Sequence, residues 1–185
     1  MITNDGDKND EQLMVEIFMS KMRSDDQAIP VRPTVPDLKV QKLRAALMLE
    51  ETLETIRIGL GLEVRVNFIK PLRIEGETLL EGCDLLEDRV TFEFNPVREP
   101  NLIEIADGCA DVLVVTIGTA SACGIALHPI FKAVMGNNLL KFAPGHRFRE
   151  DGKLIKPEKH PAITGKIRDL LKVQSNEEVV DVVAK

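Results

Sequence analysis

Residues 43–54 have the spacing of one amphipathic helix whose apolar stripe turns acidic without leaving its face. At about 100° per residue, Leu43, Leu47, Glu50 and Glu54 fall within roughly 60° of one another. Carboxylates at positions where core residues are expected are costly unless they are paired or bound to a cation. Any fold for this chain must therefore either leave that end of the helix in water or bring something positive to it.

A second segment poses the same problem. Residues 101–123 read as a helix in which Glu104, Asp107 and Asp111 share a face within roughly 60°. Val114 and Gly118 continue that stripe, and Asp111 opens an apolar run, residues 112–117, that predicts a central, buried helix. Several carboxylates facing one another raise one another's pKa. Mg²⁺ or Mn²⁺ removes both penalties, because hard cations take oxygen ligands and keep positions for water or phosphate. Gly118 and its small neighbours would let two such helices approach closely.

Each acid also has a plainer reading. Glu50, Glu51 and Glu54 suit a solvated helix face, and Glu104 lies three residues after Asn101, the spacing of a capping box. Asp107 and Asp111 are harder to place in water, because their helix is apolar almost all round. Cys109 and Cys123 read as small core residues, His128 as a helix-start residue, and His146 and His160 as surface residues.

The rest of the chain sets these helices in order. Residues 1–10 read as a disordered leader. A first helix spans about 11–22, with Leu13, Met14, Ile17 and Phe18 as its apolar face and Met22 at the edge. Pro30, Pro33 and Pro36 make an extended connector, Asp37 caps a helix over about 38–58, and Gly59 and Gly61 end it. In residues 62–100, Val64, Val66 and Phe68, then Val90, Phe92 and Phe94, alternate with polar residues, predicting short strands or a hairpin. Gly124 stops the helix of residues 101–123. Pro129 reads as the first position of a further helix reaching Phe142. A basic stretch (Arg147, Arg149, Lys153, Lys156, Lys159) and a short helix over about 164–173 complete the chain.

With 185 residues, 44% of them hydrophobic, the chain suits a single domain with a proper core. The aromatic content is only 4%, all of it Phe, which favours helices over a sandwich. A formal charge of −6 argues against a nucleic-acid binder. An odd cysteine count, Cys83, Cys109 and Cys123, without metal spacing points to free thiols in a reducing, cytoplasmic setting. The absence of a signal-like N-terminus and the shortness of the 112–126 run argue against secretion and a membrane span.

Glu50-Glu51-x-x-Glu54 followed by Glu104-x-x-Asp107 resembles the MazG-like all-alpha nucleoside triphosphate pyrophosphohydrolases, a superfamily that includes phosphoribosyl-ATP pyrophosphohydrolase and dimeric dUTPases. Residues 32–36 (Arg-Pro-Thr-Val-Pro), 111–120, 138–141 (Asn-Leu-Leu-Lys) and 149–153 (Arg-Glu-Asp-Gly-Lys) are similar to segments of bacterial and phage members. The likeness covers residues 29–161 apart from 62–100, which form an insertion suited to a lid, a dimer arm or a substrate wall. It implies an all-α antiparallel bundle, with a small strand and loop insertion between the two acidic helices. It also implies Mg²⁺-assisted hydrolysis of an NTP or dNTP to monophosphate and pyrophosphate, with Mn²⁺ as a substitute. Glu51, Glu54, Glu104 and Asp107 would then hold the metal, with Asp111 as an extra ligand one turn on, and Glu50 would orient or deprotonate the attacking water.

Asn138 and Lys141 would bind phosphate or nucleotide. Their plainer readings are a solvated Asn and a lysine at a helix C-terminus. The basic stretch would close over the phosphates or form ordinary surface. Partner-chain residues of a homodimer or homotetramer would complete the base pocket. The rivals are a phosphoribosyl-ATP pyrophosphohydrolase and a helical interaction module without catalysis. A P-loop enzyme is disfavoured, since Gly-x-x-x-x-Gly-Lys-Ser/Thr does not occur.

Overall fold

The computed structural model describes residues 8–22, 29–68, 90–142, 144, 146–148, 154 and 161–175. Among them the chain is mainly helical, with one two-stranded sheet. The order is α1 (Asp10–Lys21), α2 (Leu38–Glu54), a π-helical turn (Thr55–Gly59), β1 (Leu62–Phe68) and β2 (Val90–Pro96). There follow α3 (Leu102–Ala122), α4 (Leu127–Leu139), a 3₁₀ turn (Leu140–Phe142) and α5 (Thr164–Gln174). Two compact units divide the chain, Met1–Arg44 with Thr116–Lys185, and Ala45–Val115, so that the boundary runs through α2 and α3. Cys83, Arg149, Lys153, Lys156, Lys159 and His160 lie outside the described residues, as do residues 1–7 of the expected leader.

In the first unit α1 starts at Asp10, where the Asn9 side chain accepts from the Gln12 amide at 3.1 Å. Its core face is not the expected one. Val15 and Met19 are buried with Val40, Ile117 and Ala122, whereas Met14 is 69% exposed and Ile17 and Phe18 are each 58% exposed. The reason is Gln12, which is itself buried. Its Nε2 donates to Ser121 Oγ at 3.2 Å and to the Ile125 carbonyl at 2.8 Å, and its Oε1 accepts from the Leu127 amide at 2.9 Å. A side chain satisfied in this way can be buried, and Gln12, Val15 and Met19 then define the inward stripe.

Gln174 of α5 completes that junction. Its side-chain amide both accepts from the Ala126 N–H and donates to the Ala126 carbonyl, each at 3.0 Å. Backbone groups held by two glutamines take the place of a side-chain cap at α4, which begins at Leu127 with no cap bond from Ala126. Pro129 consequently sits third in the helix, not first. Gly124, with φ +67°, ends α3, and a Cβ there would press on the Arg32 carbonyl and lie 3.0 Å from that of Pro30. The proline connector thus lies against the end of α3, with the Thr34 amide donating to the Cys123 carbonyl at 2.9 Å. Asp37 caps α2 as expected, its Oδ1 accepting from the Val40 amide at 2.9 Å.

In the second unit α2 runs into the π-helical turn, marked by the Leu60 amide donating to the Thr55 carbonyl at 3.0 Å. Gly61, with φ +70°, then turns the chain into β1. The two alternating runs pair antiparallel, with Val64 opposite Phe94 and Val66 opposite Phe92. Residues 69–89, between the strands, lie outside the described residues. The Asn101 amide donates to the Gly59 carbonyl at 2.9 Å, tying the start of α3 to the π turn.

The expectation that α3 is buried throughout its apolar run is corrected. Val115 and Ile117 are buried, but Leu113 and Val114 are exposed, as are Leu102 and Ile103 near its start. A helix that is apolar all round has more apolar surface than one neighbouring helix can cover. Cys109, expected in the core, is exposed as well, while Cys123 is half-buried.

Candidate metal and phosphate site

The acids of α2 and α3 meet within the second unit. Glu51, Glu54, Thr55 and Ile58 from one side and Glu104, Asp107, Gly108 and Asp111 from the other line an open cleft enclosing about 250 Å³, solvent included. Two local features make the approach close. Gly108 lies directly against Thr55, so that a Cβ on Gly108 would collide with Thr55 Oγ1 and sit 3.0 Å from Thr55 Cβ. One turn away, a Cβ on Gly59 would sit 3.0 Å from Ile105 Cα. Thr55 Oγ1 itself donates back to the Glu51 carbonyl at 2.7 Å, which fixes its rotamer.

The π-helical turn begins at Thr55, the residue after Glu54. Single π turns inside helices are rare and recur at functional sites. Here the widened turn carries Thr55 and Ile58 onto the cleft wall.

Glu104 is released from the capping role. Asn101 caps α3 through its side chain, accepting from the Ile103 amide at 3.0 Å. The reciprocal bond of a capping box would need the Asn101 amide, and that group is held by Gly59. Glu104 is half-buried on the cleft wall.

Among the described residues that line the cleft, none is basic and five are acidic. The Glu51 carboxyl is pushed above the usual glutamate range, first by burial and then by the charges of Asp111, Glu54 and Glu50. Asp111 heads that group of charges, and it belongs to the cleft as fully as Asp107 does. Glu50 is exposed and does not line the cleft, although its charge reaches Glu51.

The donor chemistry suits a hard divalent cation, being carboxylate oxygen on every side. As the side chains lie, no three acidic, imidazole or thiol groups among the described residues are drawn together around one point. Closing on an ion therefore requires rotamer changes, and Glu54, Asp107 and Asp111 are exposed enough to make them.

Asn138 and Lys141 bond each other, Lys141 Nζ donating to Asn138 Oδ1 at 2.9 Å. They belong to the first unit, whereas Glu51, Glu54, Glu104, Asp107 and Asp111 belong to the second. Arg147 is exposed, beside a ring cluster in which His146 meets Phe142 and Phe148 edge-on at centroid separations of 5.7 and 5.5 Å. Among the described residues no single helix is long and apolar enough to cross a membrane. In sequence the chain matches no known protein-family profile and no characterised protein.

Proposed function

We propose that the protein is a Mg²⁺-dependent nucleoside triphosphate pyrophosphohydrolase built as a MazG-like antiparallel helical bundle with a strand insertion. The observation that carries this reading is the convergence of Glu51, Glu54, Glu104, Asp107 and Asp111 on one cleft, with no basic residue among the described residues that line it. Five acids gathered with no basic counter-charge among the described residues suit a site whose counter-charge arrives with the ligand.

In this reading Glu51, Glu54, Glu104 and Asp107 hold the metal and Asp111 supports them. Bound Mg²⁺ would offset the charge of the triphosphate and of the developing pyrophosphate. Glu50, beside the cleft, orients the attacking water and takes its proton. The anhydride bond between the α- and β-phosphates breaks, and the elements of water end on the monophosphate and pyrophosphate. Lys141 and Asn138 serve phosphate or nucleotide binding, and Lys141 must exchange its bond to Asn138 for one to the substrate. The active species is a homodimer or homotetramer.

The test is to incubate the purified chain with each NTP and dNTP, with and without Mg²⁺, and resolve the products. Pyrophosphate and monophosphate are expected, and Glu51→Gln and Asp107→Asn should each remove most turnover. Orthophosphate and diphosphate would refute the reaction. A non-catalytic helical interaction module, in which the strand insertion blocks the site, is the second reading. It predicts no thermal stabilisation by Mg²⁺, whereas a ligand bound only by the native state raises the melting temperature.

A further inference from the structure

Thr55 is the one neutral polar side chain among the described residues that line the cleft, the others being five acids, Ile58 and Gly108. A hydroxyl has a single proton and two acceptor lone pairs. Here the proton is committed, since Oγ1 donates to the Glu51 carbonyl at 2.7 Å. What Thr55 still offers is an acceptor. That bond and the β-branching of the side chain fix its rotamer, and Gly108 of α3 packs directly against Oγ1. Local structure does not ask for a threonine at this point. It is a weaker helix former than Ala or Leu, and a hydroxyl bonded back to the preceding turn slightly destabilises a helix. Thr52 makes the same kind of bond, to the Met48 carbonyl at 2.7 Å, but is exposed and does not line the cleft. The bond is therefore ordinary, and what sets Thr55 apart is that its oxygen stands between the two acidic segments.

We propose that Thr55 is a positioning residue of the cation site, its Oγ1 accepting a hydrogen bond from the water shell of the bound Mg²⁺. Mg²⁺ dehydrates reluctantly and keeps several waters in a protein site. Those waters donate, and ionised carboxylates with a hydroxyl whose proton is already committed can only accept. A neutral acceptor also holds a water without adding to the charge that already raises the Glu51 carboxyl. A further carboxylate in its place would increase that repulsion. The inference rests on the cation-binding part of the proposed function and names a residue that lies outside the acidic motif.

Mn²⁺ titration of the full chain, followed by electron paramagnetic resonance, compares the parent with Thr55→Val, Thr55→Ser and Thr52→Val. Valine keeps the shape and branching of threonine and lacks the acceptor. Thr55→Val should bind Mn²⁺ about three- to tenfold more weakly, the loss expected for one hydrogen bond. Thr55→Ser should restore the parent affinity, and Thr52→Val should leave it unchanged. Unchanged affinity in Thr55→Val overturns the assignment and leaves the cation site standing. Equal weakening in Thr55→Ser would assign the effect to packing, and equal weakening in Thr52→Val to the helix as a whole, and either overturns it as well. A parent that binds no Mn²⁺ overturns the cation site itself, and this inference with it. If Thr55→Val does not fold, Thr55→Ala, which only removes atoms, takes its place with the same expected loss and the same rescue by serine.

Discussion

Gly108 of α3 rests against Thr55, leaving no room for a methyl group between the two acidic segments. The contact sets how near Glu51 and Glu54 come to Glu104, Asp107 and Asp111. It also ties the cleft to the π-helical turn that begins at Thr55.

Gly108→Ala should therefore destabilise the chain by about 1–3 kcal/mol, the usual cost of overpacking. Thr55→Ala removes the colliding oxygen, so the two substitutions should be less damaging together than their separate costs imply. Urea denaturation of the four proteins of this cycle measures the coupling. Strict additivity would show that the contact does not hold the segments together.

Gln12 is the polar key of the first unit. Gln12→Leu leaves the Leu127 amide and the Ile125 carbonyl without their side-chain partner. Each group stranded in this way costs about 1–3 kcal/mol. Met14→Gln, two residues along on the exposed side, should change stability by no more than about 0.5 kcal/mol. Denaturation midpoints compare the two, and equal effects would contradict the assigned face of α1.

Much of this fold is readable from local sequence. Alternation at Val64, Val66, Phe92 and Phe94 locates both strands. Asp37 and Asn101 mark helix starts, and Gly61 and Gly124 mark turns with positive φ. What local reading misses depends on distant partners. The inward face of α1 is decided by Gln12 bonds to groups 109 to 115 residues away, which hydrophobic periodicity cannot register. In the same way, Asp111 is visible in the sequence as a spare acid. Its rank beside Glu51 appears only when α3 lies against α2. The role of Gly108 depends on Thr55, about 50 residues away in order but adjacent in space.

Acid pH gives an independent check on the crowding of charge. The Glu51 pKa is raised in the folded chain, so the folded state binds that proton more tightly than the unfolded state does. Glu51 therefore favours folding below its unfolded pKa, and that contribution is lost as pH rises through the higher folded value. It follows that Glu51→Gln should raise the melting temperature of the metal-free protein at neutral pH. The gain should vanish below about pH 4, under the ordinary glutamate value. Thermal melts of both proteins between acid and neutral pH measure it, and a loss of stability at neutral pH would contradict the electrostatic account.

The central claim is that this cleft is a divalent-cation site. Electron paramagnetic resonance of Mn²⁺ titrated into the full chain, with Mg²⁺ as competitor, tests it most directly. Saturable binding of at least one Mn²⁺ per chain, displaced by Mg²⁺ and lost in both Glu51→Gln and Asp107→Asn, is the predicted result. Free Mn²⁺ signal persisting into the millimolar range, or binding left intact by both substitutions, would contradict it.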